Sequence, residues 1–351
     1  MLFPYTYVPH QMEKMKEFID FIFYEVWCKA TPKTLFSFYL CSGNPELFEL
    51  MKKFFYSDKK NADFFYGNVE RIYGHFAHLK SKHIRRLKWW YFSNNDIERI
   101  CSNNPTLQPA RYKDIERRYP DLAKDLQIFF TGLYDFKSAD IKAKVGDIAD
   151  HYKAFVQTNK AGKCPFCGIG DIMGEHHSKR AAYDHYLPNS LYPFNSINFR
   201  NLAPACHECN STYKLTKDPA HNPAGRRKAF YPFATAAQTI DIQVILQHSD
   251  INKMKPADIK MQFGPAAITE EIETWKDVYG IEERYKAKLC GKNDGMYWLT
   301  QVLDECQAYD KQPADILAMR AQQAQSRPYA ECNFLRKPFL DACQNLGLFN
   351  P

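Results

Sequence analysis

A stretch in the middle of the chain contains the residue types that phosphodiester hydrolysis requires. Tyr183-Asp184-His185 is followed by Asn201, and later by Asn210. A neutral imidazole can accept a proton from an attacking water, so His185 is the candidate general base. Carboxylate and amide oxygens suit Mg²⁺ or Mn²⁺, and this makes Asp184 and Asn210 candidate ligands of a catalytic ion. A lone histidine is more often an ordinary interior residue, and it is these neighbours that favour catalysis.

Four of the eleven cysteines occur as two C-x-x-C pairs that bracket this stretch. Cys164 and Cys167 form the first pair, and Cys206 and Cys209 form the second. Two such pairs predict a tetrahedral zinc site rather than disulfides. A catalytic zinc usually has a histidine or carboxylate ligand and an open position, so we expect a closed, structural site. The other cysteines occur singly and are expected to behave as small hydrophobic residues.

Short elements are predicted to position these side chains. Ile141, Val145, Ile148, Tyr152 and Phe155 fall on one face of a predicted amphipathic helix. Strands are predicted at 169–173, 181–187 and 199–202, and a helix is predicted to begin at Cys206. The resulting order is strand, loop, strand, helix. An element this small buries too little surface to hold catalytic groups still, and a metal would supply that stability.

The motifs Asp-His-x-x-Pro, Asn-Leu and Cys-x-x-Cys-Asn, in this order, resemble the HNH nuclease family. The subgroup is the one in which Asn replaces the last His and two C-x-x-C pairs hold zinc. The resemblance covers 164–214 and implies a ββα-metal core with His185 as base and Asp184 and Asn210 as metal ligands. It also implies that Asn201 orients the loop between the strands through backbone hydrogen bonds.

Several residues are candidate contacts for substrate phosphate. Lys214 and Tyr213 follow Asn210 on the predicted helix, although an exposed lysine is often merely solvated. Arg226 and Arg227 lie just beyond that helix and are placed to track a nucleic-acid backbone. A dense basic stretch at 80–88 leads into Trp89-Trp90-Tyr91-Phe92, which suits phosphate contact with base stacking. A solvated surface helix is the competing interpretation of that stretch.

Composition and charge set the wider expectations for the 351-residue chain. Its formal net charge of +7 and pI near 8.7 favour polyanionic partners. Its apolar stretches are too short to span a membrane, and no secretory leader opens the chain, so we expect a cytoplasmic protein without membrane insertion. The predicted fold class is α+β and mainly helical. Helices are predicted at 45–55 and from 268 toward 285, and strands are predicted at 240–246 and 260–263. The predicted domains are a helical N-terminal domain at 1–138, a nuclease domain at 139–232, and a C-terminal extension at 233–351 that contains strands and then helices.

The tail resembles extensions of HNH proteins from bacterial anti-phage defence systems such as Septu and Zorya. The residues concerned are Glu271, Trp275 and Glu283-Arg284-Tyr285. This resemblance implies an effector that works with a partner ATPase or membrane complex, and it transfers no catalytic residue.

These patterns together predict a metal-dependent endonuclease that cuts DNA, with phage DNA as the expected target. Its products would be a 5′-phosphate and a 3′-hydroxyl, and one site would nick while two protomers could break both strands. The alternative is a zinc-stabilised nucleic-acid-binding module without catalysis. A scaffold whose helical flanks recruit a partner is compatible with either function.

Overall fold

A computed structural model describes residues 1–160, 162–248, 250 and 253–349, and in this part the chain is mainly helical with small antiparallel sheets. The helices are α1 Lys14–Phe21, α2 Pro45–Phe55, α3 Lys60–Ala77, α4 Ser81–Asn95, α5 Ile97–Cys101, α6 Tyr112–Glu116, α7 Pro120–Asp135, α8 Ala139–Val145, α9 Ile148–Thr158, α10 Thr269–Tyr279, α11 Ile281–Leu289, α12 Gly295–Tyr309, α13 Pro313–Ser326 and α14 Asn333–Asn345. The strands are β1 Ala182–His185, β2 Leu202–Ala205, β3 His221–Asn222, β4 Gly225–Arg226, β5 Asp241–Leu246 and β6 Ile259–Gly264. Segments of π-helix occur at Ile22–Val26 and Glu208–Lys214.

The N-terminal helices share a hydrophobic core rich in aromatic residues. Trp27 and Phe129 are fully buried there, and their rings meet edge to face at 5.8 Å. Helix α2 has the predicted bounds, because Asn44 accepts a hydrogen bond from the Leu47 N–H and proline occupies the first turn. Phe194, from the loop between β1 and β2, also enters this core. The N-terminal helices therefore support the loop that joins the two site strands.

The predicted amphipathic helix through 141–155 is two helices in the structure. Helix α8 ends at Val145, and Gly146 follows with a φ of 83°, a conformation that favours glycine. Asp147 then starts α9 by accepting a hydrogen bond from the Ala149 N–H. Ile141 in α8 and Phe155 in α9 are both buried, so the apolar periodicity continues across the gap between the two helices. The periodicity therefore did not reveal that the helix is interrupted.

Strands β1 and β2 pair antiparallel, with Asp184 opposite Ala203 and His185 opposite Leu202. The strand predicted at 199–202 begins instead at Leu202, because Phe199–Asn201 forms a 3₁₀ turn capped by Asn198. The strand predicted at 169–173 is absent from the described residues, where only an isolated bridge joins Lys163 and Asp171. Strands β5 and β6, by contrast, pair close to their predicted positions.

The C-terminal helices pack around the cysteine pairs. The helix predicted from 268 toward 285 is divided into α10 and α11 by Gly280, which adopts a left-handed conformation. A Cβ at this position would lie 2.3 Å from the Tyr213 ring, so glycine is also needed for the close approach. In the described part of the chain, no helix is both long and apolar enough to cross a bilayer.

Candidate metal centre and catalytic strand

The two cysteine pairs meet in a single buried cluster. The Sγ atoms of Cys164, Cys167, Cys206 and Cys209 all lie within 4.8 Å of one another, and all four residues are buried. Tetrahedral zinc with Zn–S bonds of about 2.3 Å would separate its sulfurs by about 3.8 Å. The Cys167 and Cys206 Sγ atoms are 3.8 Å apart. The cluster therefore fits a closed, structural zinc site.

Backbone groups close to the sulfurs complete this centre. The Cys206 N–H points at the Cys164 Sγ at 3.5 Å, and the Gly170 N–H points at the Cys167 Sγ at 3.4 Å. A Cβ on Gly170 would lie 2.6 Å from the Cys206 Sγ, so the chain can pass this close to the cluster only with glycine. The conformation of the Cys164–Cys167 pair therefore depends on the turn that contains Gly170 as well as on the cysteines themselves.

The C-terminal helices hold the cluster from the other side. The Trp275 Nε1 donates to the Phe166 carbonyl at 2.5 Å, and the Tyr285 hydroxyl donates to the Cys167 carbonyl at 2.8 Å. The Arg284 guanidinium lies 3.2 Å from the Cys209 Sγ, where its positive charge complements a thiolate. Trp275, Arg284 and Tyr285, three of the tail residues in the resemblance to defence-system proteins, therefore have a structural role at the cysteine cluster.

Asp184 lies on β1 and is almost fully buried. Its Oδ1 accepts a hydrogen bond from the Lys214 Nζ at 2.8 Å, and its Oδ2 has no hydrogen-bond partner among the described residues. Burial raises the pKa of Asp184, and the neighbouring Lys214 ammonium opposes this shift. The unpartnered oxygen is a candidate ligand atom, since a buried polar atom without a partner is unfavourable.

His185, the next residue on β1, is oriented by the loop that joins the strands. Its Nε2 lies 2.8 Å from the Ser196 carbonyl oxygen, and its ring meets the Tyr134 ring edge to face at 4.4 Å. A carbonyl can only accept, so Nε2 carries the hydrogen and the neutral ring presents Nδ1 as an acceptor. Burial lowers the pKa of His185 to about 4, with smaller opposing and reinforcing effects from Ser196 and Lys214.

Asn201 is fully buried at the base of the loop. Its Oδ1 accepts from the Leu187 N–H at 2.8 Å, and its Nδ2 donates to the Leu187 carbonyl at 3.0 Å. Its backbone carbonyl also accepts from the Tyr186 N–H. These contacts join the end of β1 to the start of β2. They are hydrogen bonds to the backbone, of the kind expected for a residue that orients a loop.

The helix predicted from Cys206 is a π-helical segment, Glu208–Lys214. Its wider turn is shown by the Leu215 N–H, which donates to the Asn210 carbonyl five residues earlier. Asn210 is half-buried. The Tyr213 hydroxyl lies 3.4 Å from the Glu283 Oε1, and the Arg284 guanidinium lies 4.8 Å from the Tyr213 ring centroid. Tyr213 is thus packed against α11 instead of standing free.

The predicted phosphate contacts are largely engaged within the protein. Lys214 is buried, not exposed, because its ammonium also donates to the His185 carbonyl at 2.8 Å. The Arg226 guanidinium donates to the carbonyls of Leu107 and Asn104. Arg227 is buried and forms an ion pair with Asp277 at 2.7 Å. The sequence could not reveal these internal partners, since they lie far away along the chain.

Lys214→Met should destabilise the fold by about 3–5 kcal/mol, because it leaves Asp184 as a buried charge without its partner. Lys214 and Asp184 side chains are 1% and 3% exposed, so water cannot replace the lost ammonium. Urea denaturation followed by circular dichroism measures the change. The control Lys214→Met/Asp184→Asn removes both charges and should recover much of the loss. Equal destabilisation of both variants would contradict this account of the ion pair.

An open cavity of about 550 Å³ adjoins the start of β2. Tyr134, Arg180 and Leu202 contribute to its lining. Arg180 is exposed, and its guanidinium lies 5.7 Å from the Tyr183 ring centroid. Sequence reasoning missed Tyr134 and Arg180: Tyr134 lies on the distant helix α7, and Arg180 stands in a loop without a motif.

Part of the chain is similar in sequence to a known protein. The chain is 36% identical over 64 residues to the Septu protein PtuB of Bacillus thuringiensis, and this match covers 17% of the chain and 24% of PtuB. The chain thus spans about a quarter of the length of this relative. No family model matches the chain, and no solved structure matches it. The chain therefore combines a buried four-cysteine cluster that fits zinc with a distant partial similarity to a Septu protein.

Proposed function

We propose that this protein is a metal-dependent HNH-type endonuclease that hydrolyses DNA phosphodiester bonds. His185 is the general base, Asp184 and Asn210 hold Mg²⁺ or Mn²⁺, and Asn201 orients the loop between the strands. The products are a 5′-phosphate and a 3′-hydroxyl, formed by nicking or by double-strand cleavage through two protomers. The proposed biological role is that of an effector in bacterial anti-phage defence.

The observation that carries this proposal is the fixed orientation of His185. The Ser196 carbonyl accepts from Nε2, and this leaves Nδ1 of the neutral ring able to take a proton from water. Tyr134, whose ring contacts that of His185, also lines an open cavity of about 550 Å³ that has room for substrate. Tyr134 restricts the ring from one side, so the base is held in place before substrate binds. A histidine held in this way is suited to general-base catalysis.

Asp184 and Asn210 offer oxygen donors of the kind that a hard divalent cation prefers. The Asp184 Oδ2 is a buried carboxylate oxygen without a partner, and Asn210 supplies an amide oxygen from the following segment. When bound, the ion would stabilise the negative charge that develops on the phosphate. Lys214 holds the other Asp184 oxygen, so it would position the carboxylate instead of contacting DNA. The bound zinc would have a separate, structural role.

The partial similarity to Septu protein PtuB supports the proposed defence role. Because the match covers a quarter of that protein, phage DNA as target and a partner ATPase or membrane complex are parts of the proposal. The predicted cytoplasmic location belongs to the same proposal.

One observation favours the alternative, a zinc-stabilised nucleic-acid-binding module without catalysis. The buried Asp184 carboxylate needs a positive charge beside it, and the Lys214 ammonium supplies one. In a protein without a catalytic ion, this ammonium could neutralise the carboxylate by itself. Tyr213, Arg226 and Arg227, which were predicted to contact substrate, are also engaged by other parts of the chain.

Supercoiled plasmid incubated with protein and Mg²⁺ should decide between the two functions. The protein is first freed of loosely held divalent ions by dialysis that retains zinc, and zinc content is checked. The nuclease proposal predicts nicked plasmid only after Mg²⁺ or Mn²⁺ is added. Retention of plasmid in a gel-shift assay, with no nicking under either ion, would contradict the proposal and support the binding module.

A further inference from the structure

We infer that helix α4 is a binding surface for an unpaired nucleic-acid strand, and this inference rests on the proposed nuclease function. Its cations would contact phosphates, while Trp89 and Phe92 would stack on bases. The α4 surface, as we call it, comprises the exposed side chains of Lys80, Lys82, Arg85, Arg86, Trp89 and Phe92. The observations that support this inference concern charge, aromatic exposure and position.

Among the residues that the structure describes, the cations of the α4 surface have no acidic partner. Helix α4 contains no aspartate or glutamate. Within the described ranges, no carboxylate oxygen lies within 4.0 Å of a nitrogen of Lys80, Lys82, Arg85 or Arg86. The first carboxylate after α4 in the sequence is that of Asp96, and it is paired with Arg99. This leaves a row of charges that a polyanion can neutralise.

Two of these cations also lie at the end of the helix where positive charge is least favourable. Lys80 and Lys82 flank the first turn, beside the positive end of the helix macrodipole. Partial burial, and then the charges of Lys82, Arg118 and Lys80, lower the pKa of His83, so Arg118 belongs to the same electropositive region. Bound phosphates would relieve this repulsion.

Two large aromatic side chains continue the row toward the end of the helix. Trp89 is 40% exposed and Phe92 is 45% exposed, and their rings lie 5.6 Å apart with an interplanar angle of 26°. The opposite face of α4 is fixed in the core, where Tyr91 stacks on Phe23 at 3.9 Å. The exposed rings are therefore held on a rigid helix, and bases could cover them.

The end of α4 is tied to the loop that orients His185. The Asn94 side chain donates to the Pro193 carbonyl at 2.9 Å, and the Asn195 side chain donates to the Asn94 carbonyl at 3.2 Å. The Asn198 side chain donates to the Asn95 carbonyl at 3.1 Å. The same loop contains Ser196, whose carbonyl accepts from His185. The 15-residue helix is about 22 Å long, and this loop contacts its C-terminal end.

The combination of features favours an unpaired strand over a duplex. In a duplex the faces of the bases are covered by their neighbours, whereas an unpaired strand offers them to aromatic side chains. Trp89 and Phe92 have exposed ring surface that a duplex backbone could not use fully. We therefore expect single-stranded oligonucleotides to bind this surface more tightly than duplexes of equal length.

Fluorescence anisotropy with labelled single-stranded DNA, in buffer without Mg²⁺ or Mn²⁺, tests the inference. Lys82→Gln/Arg85→Gln should weaken binding at least about fivefold and lower the salt-dependence slope by about 1.4. Trp89→Ala should weaken binding roughly 5- to 100-fold. Circular dichroism checks that each variant remains folded.

Matched controls lie far from α4. Lys292→Gln/Arg327→Gln removes the same amount of charge from exposed residues of the C-terminal region, and Tyr309→Ala removes an exposed aromatic ring. Both should bind like wild type. Equal weakening by the α4 and control variants would overturn the inference, and so would tighter binding of duplex. The same holds if the α4 variants lose binding to anionic phosphatidylserine vesicles but keep binding to oligonucleotide.

These outcomes separate the inference from the nuclease proposal. Binding is measured without the catalytic ion, so failure of cleavage does not affect it. Plasmid cleavage by wild type, together with unchanged binding and cleavage by the α4 variants, would overturn the inference alone. Binding through α4 without any cleavage would overturn the nuclease proposal alone.

Discussion

His185→Ala is expected to nick supercoiled plasmid about 10²- to 10⁴-fold more slowly than wild type while binding DNA with unchanged affinity. The substitution removes the Nδ1 acceptor that the Ser196 hydrogen bond leaves available. It also removes a ring that packs against Tyr134, without touching the cysteine cluster. Initial rates of nicking at saturating Mg²⁺ measure the loss, and anisotropy measures binding.

A histidine outside the site provides the control for this experiment. The His176 side chain is 92% exposed, so His176→Ala should cleave like wild type. Rescue of His185→Ala by added imidazole would support a proton-transfer role, since the small base can occupy the vacated space. Wild-type nicking rates in His185→Ala would contradict the assignment of this residue as the base.

Cys206→Ser should remove bound zinc and destabilise the protein by more than about 5 kcal/mol, because structural zinc sites contribute folding energy directly. The cysteine pairs lie 39 residues apart in sequence between Cys167 and Cys206, and the metal would join them. Without the metal, the buried cysteine sulfurs would repel one another as thiolates. Metal analysis of the purified protein and urea denaturation measure the two effects.

The control for this prediction is a cysteine outside the cluster. Cys306 is only partly buried on α12, and Cys306→Ser should keep full zinc content with little change in the free energy of unfolding. Full zinc occupancy in Cys206→Ser would show that this cysteine is not a ligand. A zinc-free wild type of unchanged stability would contradict a structural role for the metal.

Local sequence was informative where one short segment contains its own partners. The bounds of α2 follow from Asn44 and the proline after it, and the position of β5 follows from the alternation of residue types along it. Prediction failed where one residue interrupts a continuing pattern. Gly146 and Gly280 each divide a predicted helix, because a backbone angle ends a helix while the apolar periodicity continues beyond it.

The candidate site shows the same difference between features that local sequence predicts and features that depend on distant contacts. The four cysteines could be predicted to form one cluster from residue type and spacing, and the same patterns mark His185 and Asp184 as candidates for catalysis. The burial of Lys214 could not be predicted, because its charge is accommodated only by Asp184 and the His185 carbonyl on another element. The ion pair of Arg227 could not be read from the sequence for the same reason, since its partner Asp277 belongs to α10.

By itself, the sequence identified the two cysteine pairs as a candidate metal site and His185 and Asp184 as candidates for catalysis, because ligand type and short spacing are local properties. Tertiary structure decided which cations are exposed and which are buried, and it decided that the Ser196 carbonyl orients His185. It also placed the end of α4 on that loop. Such contacts depend on packing between segments far apart in the chain, and residue spacing carries no record of them.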